Sequence, residues 1–203
     1  EVVMTSVYNA HKDKVVHKEF HRDDKTVDLT DSRMVFTDKG KFLTSLSHLR
    51  VARSTDGINF QIEDQPALFP SNFYESFGIE DPRITKIGNT YYIDYVGVCD
   101  KGVTTCLAKT SDFKDFDKMG VIFCPENKDV VIFPEKINGK FYALHRPVTP
   151  LFEKYHMWIA ESDNLMHWGN HRYFMGFQEG MWDNARGGAG AVTCKTEDGW
   201  IEV

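Results

Sequence analysis

One pattern occurs three times along the chain, and it limits the folds open to this sequence more than any other feature. Each copy has an apolar strand that carries an alanine, followed by serine or threonine, then aspartate, and finally an aromatic residue. This order predicts a strand that leads into an Asx-type turn and ends at an aromatic side chain packed between neighbouring sheets. The copies are RVARSTDGINF (50–60), TCLAKTSDFKDF (105–116) and MWIAESDNLMHW (157–168). Their alanine, aspartate and aromatic positions are Ala52, Asp56 and Phe60, then Ala108, Asp112 and Phe116, then Ala160, Asp163 and Trp168.

Hairpin patterns lie upstream of each copy. They are DSRMVFTDKGKFLTSL, DPRITKIGNTYYIDYV and PEKINGKFYALHRP, and a fourth begins at GAVTCKTEDGWIEV. In these stretches apolar and polar residues alternate, and Gly, Asn or Asp bounds each run. A sustained helical period of apolar residues is almost absent from the chain, so we expect it to be all β. The three alanines are 56 and 52 residues apart. A unit of about four strands at this period predicts the blades of a β-propeller.

The chain contains about three and a half of these units, whereas a closed propeller needs at least roughly four blades. Its last residues, DGWIEV, stop inside a hairpin. We therefore expect residues 1–203 to be a single partial propeller domain of a longer protein, whose C-terminal blades are missing. An incomplete ring would leave strand edges exposed.

Composition excludes several classes of function. With 203 residues, 41% of them apolar and 27% charged, the chain is typical of one soluble globular domain. The net charge of −6 gives no reason to expect nucleic acid or an acidic membrane as a partner. No apolar run approaches the ~20 residues of a membrane-spanning helix.

Cysteine and histidine spacing does not predict a metal site. The four cysteines form no C-x-x-C pair, and we expect free, half-buried thiols, although Cys99 and Cys106 could face each other across CDKGVTTC. His17 and His21 in HKEFH lack the glutamate position of H-E-x-x-H.

Three cations share one repeat position, which we place on the first strand of each unit: Arg33, Arg83 and Lys136. Inner strands of a propeller line its axis, so these side chains would converge and would need an anion between them. The block NKDVVIFPEK adds Lys128 and Asp129 beside Lys136, and the block LHRP adds His145 and Arg146. His145 and Arg146 are adjacent on a strand, so they should point to opposite faces rather than act as one clamp. Ordinary salt bridges explain each cation taken singly, and an anion site explains the set equally well.

The stretch SFGIEDPR places a carboxylate pair, Glu80 and Asp81, before a proline. The repeat register aligns Asp31 with Asp81, so an acid here is partly a repeated structural feature. Pro82 should bias Asp81 towards an extended backbone and thereby aim its carboxylate.

The stretch EGMWDNARGGAGAV combines an aromatic residue, an acid and a glycine-rich run. Trp182 beside Asp183 could hold a sugar by stacking and hydroxyl hydrogen bonds, with Arg186 close by. Glycines allow the backbone to approach a ligand closely. Taken alone, the stretch is explained better as a glycine-rich turn between blades.

Four ordered blocks resemble the mannoside phosphorylases and related enzymes of glycoside hydrolase family 130. They are SHLRVARSTDGINF, YESFGIEDPRITKI, PENKDVVIFPEKINGKFYALHRP and WDNARGGAGAV, and the resemblance covers about residue 30 to the end. It implies a five-bladed β-propeller, with residues 1–30 matched poorly. It further implies inverting phosphorolysis of β-mannosidic bonds in manno-oligosaccharides to α-mannose 1-phosphate, with inorganic phosphate as co-substrate, no cofactor and no metal.

The resemblance also implies residue roles. Asp81 is the general acid, which passes its proton through a hydroxyl of the mannosyl residue, and Asp183 holds substrate hydroxyls. The phosphate-binding set is Lys128, His145, Lys118 and Arg146, and the substrate-binding set is Arg33, Arg83, Glu80, Asp183, Trp182 and Arg186. The chain departs from the family at Val192 and Thr193, where relatives often carry Pro-Pro or Val-Pro, and this departure lies at the rim near Gly190.

General chemistry supports a phosphorylase independently. An inverting hydrolase needs two carboxylates, because water must lose a proton as it attacks. Phosphate is already an anion, so cations that bind and orient it can replace the base. Two alternatives stay open: a β-mannoside hydrolase with Glu126 or Glu135 as base, and a non-catalytic sugar-binding propeller. A sugar phosphate is useful only inside the cell, so we expect a cytoplasmic protein, and homo-oligomer formation is left open.

Overall fold

The computed structural model describes residues 2–149, 151, 152 and 154–203, and over these residues the chain is all β. The one helical element of this part is a 3-10 turn, Phe73–Glu75. The strands of the N-terminal part are β1 (Val2–Asn9), β2 (Lys14–His21), β3 (Val27–Asp28), β4 (Met34–Thr37), β5 (Gly40–Leu43), β6 (Ala52–Arg53) and β7 (Gln61–Ile62). They form three small antiparallel sheets, β1-β2, β3-β4-β5 and β6-β7. The expectation of an all-β chain is confirmed.

The remaining strands form two four-stranded sheets and a short hairpin. The first sheet contains β8 (Gly78–Ile87), β9 (Thr90–Cys99), β10 (Gly102–Thr110) and β11 (Asp117–Phe123). The second contains β12 (Asn127–Ile132), β13 (Phe141–Pro147), β14 (Met157–Ser162) and β15 (Trp168–Met175), and β16 (Cys194–Thr196) pairs with β17 (Gly199–Ile201). In both large sheets the strands are neighbours in chain order, as in a meander. This is the four-stranded unit that the repeat predicts.

The chain divides into two compact units. The division between them passes through β8, β9 and β10 of the first four-stranded sheet. The first unit runs up to Glu80 and includes residues 97–102. The second consists of residues 81–96 and 103–203. The second unit therefore contains β11 to β17 together with most of β8, β9 and β10.

The second four-stranded sheet is covered on both faces, which explains its apolar run VVIF at 130–133. Val130 and Ile132 belong to one buried cluster with Leu107 of the first sheet. Val131 and Phe133 belong to another, which includes Ala189. Successive side chains of a strand point to opposite faces, so a strand buried on both faces has no polar alternation.

The repeated turn follows the predicted plan in two copies but not in the third. In the first copy the Asp56 carboxylate accepts the N–H groups of Ile58 and Asn59. In the third copy the acceptor is the amide oxygen of Asn164, bonded to the N–H groups of Met166 and His167 at 3.0 and 2.9 Å. The assignment of this position to Asp163 is wrong, because Asp163 instead pairs with Lys140. Counting from the preceding serine or threonine, as in Ser54–Asp56, would have selected Asn164.

The aromatic residue that closes each copy packs between sheets in only part of the molecule. Trp168 stacks on Phe123 of the neighbouring sheet, with ring centroids 5.6 Å apart, as predicted. Phe60 is 58% exposed, so the packing prediction is wrong there. Its flanking strands, β6 and β7, have only two residues each and offer little surface to cover a ring.

The cysteines are free, as expected, but their burial is uneven: Cys99 and Cys106 are buried, whereas Cys124 and Cys194 are exposed. The described residues contain no group of three histidine, cysteine or acidic side chains able to hold a metal ion. Nowhere in this part of the chain does a helix reach the length and apolarity needed to cross a membrane.

Replacing Asn164 with alanine should destabilise the protein by about 1–2 kcal/mol, because two backbone N–H groups lose their acceptor. The neighbouring change Asp163→Ala removes only an exposed ion pair and should have a smaller effect. Urea unfolding of both variants beside the parent protein measures the difference. Equal losses for the two variants would contradict the assignment of the turn to Asn164.

Candidate functional site

A cavity of about 530 Å³ lies within the second unit and combines acidic and basic side chains. Its lining comes from β8, β12, β13 and the loops near them: Asp81, Glu126, Lys128, Asp129, Arg146, Val148, Tyr155 and Arg186. Five residues proposed from the sequence meet here: Asp81, Lys128, Arg146 and Arg186 of the phosphorylase hypothesis, and Glu126 of the hydrolase alternative. Their positions in the sequence span more than a hundred residues, so the cavity depends on tertiary structure.

Two aspartates of the cavity have left-handed backbones. The φ angle is 51° at both Asp81 and Asp129. The expectation that Pro82 holds Asp81 extended is therefore wrong. A residue before proline is disfavoured in the right-handed helical region, and aspartate tolerates the left-handed region better than most residues do. Such backbones cost about 1–3 kcal/mol each and cluster at functional sites.

Asp129 lies between two arginines. Its Oδ2 is 2.8 Å from Nη1 of Arg146, and its Oδ1 is 3.6 Å from Nη2 of Arg83. All three side chains are largely buried, with exposed fractions of 19%, 10% and 17%. Gly188 packs so closely here that a Cβ atom would overlap the Asp129 carboxylate. Glycine at position 188 thus lets the glycine-rich segment reach this ion pair.

Arg83 donates mainly to main-chain carbonyl groups. Its Nε bonds the carbonyl of Gly190 at 3.1 Å, its Nη2 that of Ala189 at 3.0 Å, and its Nη1 that of Asp81 at 3.3 Å. Sequence reasoning placed Arg83 in the substrate-binding set. The described contacts instead join it to the protein's own backbone.

His145 lies in the interior rather than on the cavity lining. Its ring stacks on Phe123 at 4.7 Å and is 3% exposed. Nδ1 contacts the side-chain amide of Asn127 at 3.1 Å, and Nε2 contacts Nδ1 of His171 at 3.0 Å. Burial, with the neighbouring His171, lowers the pKa of His145 to about 4, so the ring is neutral at neutral pH. Both ring nitrogens are engaged, and the role of phosphate ligand stays a prediction.

Two of the three cations assigned to one repeat position do not lie on strands. Arg33 lies in a turn of the first unit and binds Asp31, with Nη2 to Oδ2 at 2.9 Å. Lys136 lies in a loop, with Nζ 4.7 Å from the ring centroid of Phe141. Only Arg83 occupies the predicted first strand. In the third sequence repeat the first strand is β12, which ends at Ile132. The alignment of Lys136 with Arg83 was therefore wrong.

The remaining candidates also lie outside the lining of this cavity. Lys118 is on β11, and β10 and β9 separate that strand from β8, a span of about 14 Å at the usual strand spacing. Trp182 is 93% exposed. Asp183 is partly buried, and its Oδ1 has no hydrogen-bond partner among the described residues. Glu80 is half-buried and belongs to the first compact unit, whereas Asp81 belongs to the second. Their proposed roles stay predictions.

Sequence reasoning gave no site role to Asp129, Val148 or Tyr155. Asp129 stood in the quoted block NKD, but its left-handed backbone and its two arginine partners have no local signal. Tyr155 reaches the site through a parallel bridge to Arg186. That contact joins residues 31 positions apart and has no sequence pattern to predict it.

The arrangement brings an acid and several cations to one cavity. The Asp81 side chain is exposed and makes no hydrogen bond or ion pair within the described part of the chain. Glu126 is a second acid of the lining, with Oε1 accepting the N–H of Val103 at 3.1 Å. Lys128, Arg146 and Arg186 supply positive charge. Such a cavity can bind an anion beside a proton donor.

A buried acid, Asp94, lies on β9, the strand that pairs with β8. It is 1% exposed, and its Oδ2 has no hydrogen-bond partner among the described residues. Burial raises the pKa of Asp94 well above its usual value, although the positive charge of Arg83 opposes this shift.

Comparisons with known proteins show which proteins the chain is similar to. A family model described as β-1,4-mannooligosaccharide phosphorylase matches residues 27–203. The chain is 46% identical to β-1,2-mannobiose phosphorylase of Listeria innocua, over 99% of this chain and 58% of that protein. It is 39% identical to 1,2-β-oligomannan phosphorylase of Thermoanaerobacter, over 81% of this chain and 53% of that protein.

A solved structure has the same fold over the whole chain. The complex of β-1,2-mannobiose phosphorylase from Listeria innocua with β-1,2-mannobiose superposes with a TM-score of 0.92 and 45% identity. The match covers 100% of this chain and 59% of that one. The chain thus spans about half the length of the curated relatives it matches.

Replacing Asp94 with asparagine should change how stability depends on pH. The folded state binds a proton at Asp94 more tightly than the unfolded state, where the pKa is about 3.9. The parent protein therefore loses stability as pH rises above that value, and the variant does not share this loss. We expect the free energy of unfolding of Asp94→Asn, relative to the parent, to rise from pH 4 to pH 7. A pH-independent difference in urea unfolding would contradict a raised pKa.

Proposed function

The chain belongs to glycoside hydrolase family 130, and on that premise we propose that it forms part of an inverting β-mannoside phosphorylase. The proposed enzyme cleaves β-mannosidic bonds of manno-oligosaccharides with inorganic phosphate and releases α-mannose 1-phosphate. The observation that carries the proposal is the shared cavity of Asp81, Lys128, Arg146 and Arg186. We propose that Asp81 is the proton donor there and that neighbouring cations bind the phosphate.

The reaction breaks one bond and forms one. A phosphate oxygen attacks the anomeric carbon of the mannosyl residue, and the bond from this carbon to the leaving sugar oxygen breaks. Asp81 supplies the proton that the leaving oxygen gains, through a mannosyl hydroxyl if the family route applies, and regains one from solvent. Attack from the opposite face converts the β-linkage into an α-phosphate.

Cations of the lining would bind and orient the phosphate. Lys128 and Arg186 are partly or fully exposed side chains of the cavity, whereas Arg146 is buried and paired with Asp129. We assign the direct phosphate contacts to Lys128 and Arg186, with Arg146 beside them. Binding an anionic nucleophile in line with the reacting carbon removes the need for a catalytic base.

The names of the relatives favour one linkage, β-1,2, in the proposed substrate. The family model carries a β-1,4 description, but the relatives at 46% and 39% identity are named for β-1,2-linked substrates. We therefore propose β-1,2-mannobiose as the first substrate to test.

The family also supports the finer architecture. We propose that β8–β11 and β12–β15 are two blades of a five-bladed propeller, completed by chain beyond these residues. The use of a sugar phosphate inside the cell supports a cytoplasmic location. Phosphate enters as co-substrate rather than as a bound cofactor.

Asp81→Asn in the full-length enzyme should lower kcat by about 10²–10⁴-fold, because asparagine cannot donate the proton. Mannobiose binding should change little, since the side-chain size is kept. The matched control is Asp31→Asn, an aspartate at the same repeat position that pairs with Arg33. Phosphate-dependent release of mannose 1-phosphate measures turnover, and calorimetry measures binding. Unchanged turnover in Asp81→Asn would overturn the assignment.

One observation favours a second function, hydrolysis on the same fold. Glu126 lines the same cavity as Asp81, and an inverting hydrolase uses a second carboxylate to activate water. Against it, Oε1 of Glu126 accepts the N–H of Val103, which gives this carboxylate a structural task. Phosphorolysis is therefore the better explanation.

Glu126→Gln distinguishes the two functions. Glutamine keeps an oxygen acceptor for Val103, so a phosphorylase should retain its phosphate-dependent kcat within about tenfold. A hydrolase would lose its base, and free mannose release without phosphate would fall by about 10²–10⁴-fold. Glu161→Gln, which changes a glutamate paired with Arg172, serves as the control. Both products are measured with and without phosphate.

A further inference from the structure

Arg83 links two segments that are far apart in sequence. It lies on β8, two residues after Asp81, and its side chain is 17% exposed. Its Nη1 contacts the carbonyl of Asp81, while Nε and Nη2 contact the carbonyls of Gly190 and Ala189. These carbonyls belong to the proposed acid and to the glycine-rich segment that follows Arg186.

The same Asp-x-Arg spacing gives a different pairing elsewhere in the chain. In DSR, Arg33 donates Nε and Nη2 to the side-chain carboxylate of Asp31, at 3.1 and 2.9 Å. In DPR, Arg83 donates to the main-chain carbonyl of Asp81 instead. The carboxylate of Asp81 therefore stays available to the cavity. The distant carbonyls of Ala189 and Gly190 also accept hydrogen bonds from the guanidinium of Arg83.

Acidic groups around Arg83 hold the guanidinium in place. Oδ1 of Asp129 lies 3.6 Å from Nη2 of Arg83. Glu202 accepts the N–H of Gly190 at 2.9 Å, which fixes the far segment from its other side. A planar guanidinium can bind several acceptors in fixed directions, which a lysine ammonium cannot do.

The backbone at Asp81 needs such support. Its φ angle of 51° lies in a region that residues other than glycine rarely occupy, so the surrounding structure must hold it. Arg83 contacts the carbonyl of this same residue. Loss of that contact would release the main chain and with it the direction of the carboxylate.

We propose that Arg83 is a positioning residue that holds the main chain of Asp81, and through it the proton donor, against the glycine-rich segment. This inference rests on the proposed function, because it assigns Arg83 to the geometry of that reaction. It replaces the substrate-binding role that the sequence suggested for Arg83. The guanidinium acts through Asp81 and does not contact the mannoside or phosphate.

The test compares leaving groups in the full-length enzyme. With β-1,2-mannobiose the leaving sugar oxygen needs a proton, whereas the p-nitrophenolate of p-nitrophenyl β-mannoside departs without one. For Arg83→Gln we expect kcat on mannobiose to fall about 10²-fold, with KM for phosphate and mannobiose within about threefold. On the aryl mannoside the loss should stay below about tenfold.

Arg83→Lys is the second variant, which keeps the charge and most of the volume. We expect it to recover little of the lost kcat, because the three donors of an ammonium share one nitrogen and cannot reproduce the spread of Nε, Nη1 and Nη2 over these three carbonyls. Arg172→Gln is the matched control, since Arg172 pairs with Glu161 on an exposed face and should keep full activity. Thermal unfolding of each variant shows whether it is folded at the assay temperature.

Two results would overturn the inference. One is a rise of about tenfold or more in KM at nearly constant kcat, which indicates a substrate contact. The other is an equal loss on both leaving groups in whichever Arg83 variant is folded, which indicates a purely structural role. If the parent enzyme turns over neither substrate in the presence of phosphate, it is the proposed function that fails.

Discussion

The cavity depends on one carboxylate held between two guanidinium groups. Asp129 contacts Arg146 and Arg83, and all three side chains are largely buried. Buried charges are costly unless they are paired, so removing one partner would leave another uncompensated. The pairing also fixes geometry, because β8, β12 and β13 each supply one member. The cavity assembled from neighbouring sheets therefore rests on an ion pair within the protein.

This arrangement separates the residues that build the site from those that can act in it. Arg83 and His145 are engaged by protein groups, whereas the Asp81 carboxylate remains exposed to the cavity. Internal partners hold the main chain at Asp81, while Lys128 and Arg186 line the same cavity with partly or fully exposed side chains.

Much of the fold could be predicted because its signals are local. The run TYYIDYV, which lies in β9, and the turn residues Asp56 and Asp112 determine a strand and two turns within a few residues. Errors arose where two local patterns competed. Asp163 and Asn164 both suit an Asx turn, and only the spacing from Ser162 distinguishes them. Lys136 was aligned with Arg83 because the hairpin PEKINGKF resembles the others, although β12 had already ended.

The sequence by itself determined the all-β class, the repeating unit and the family, and through the family it placed Asp81, Lys128, Arg146 and Arg186 among the candidates. Tertiary structure decided which of those candidates share a cavity, and it gave Arg83 main-chain partners more than a hundred residues away. It also brought in Asp129 and Tyr155. The physical reason is range: turns and strands arise from interactions between near neighbours, whereas a charged site depends on which distant groups compete for each donor.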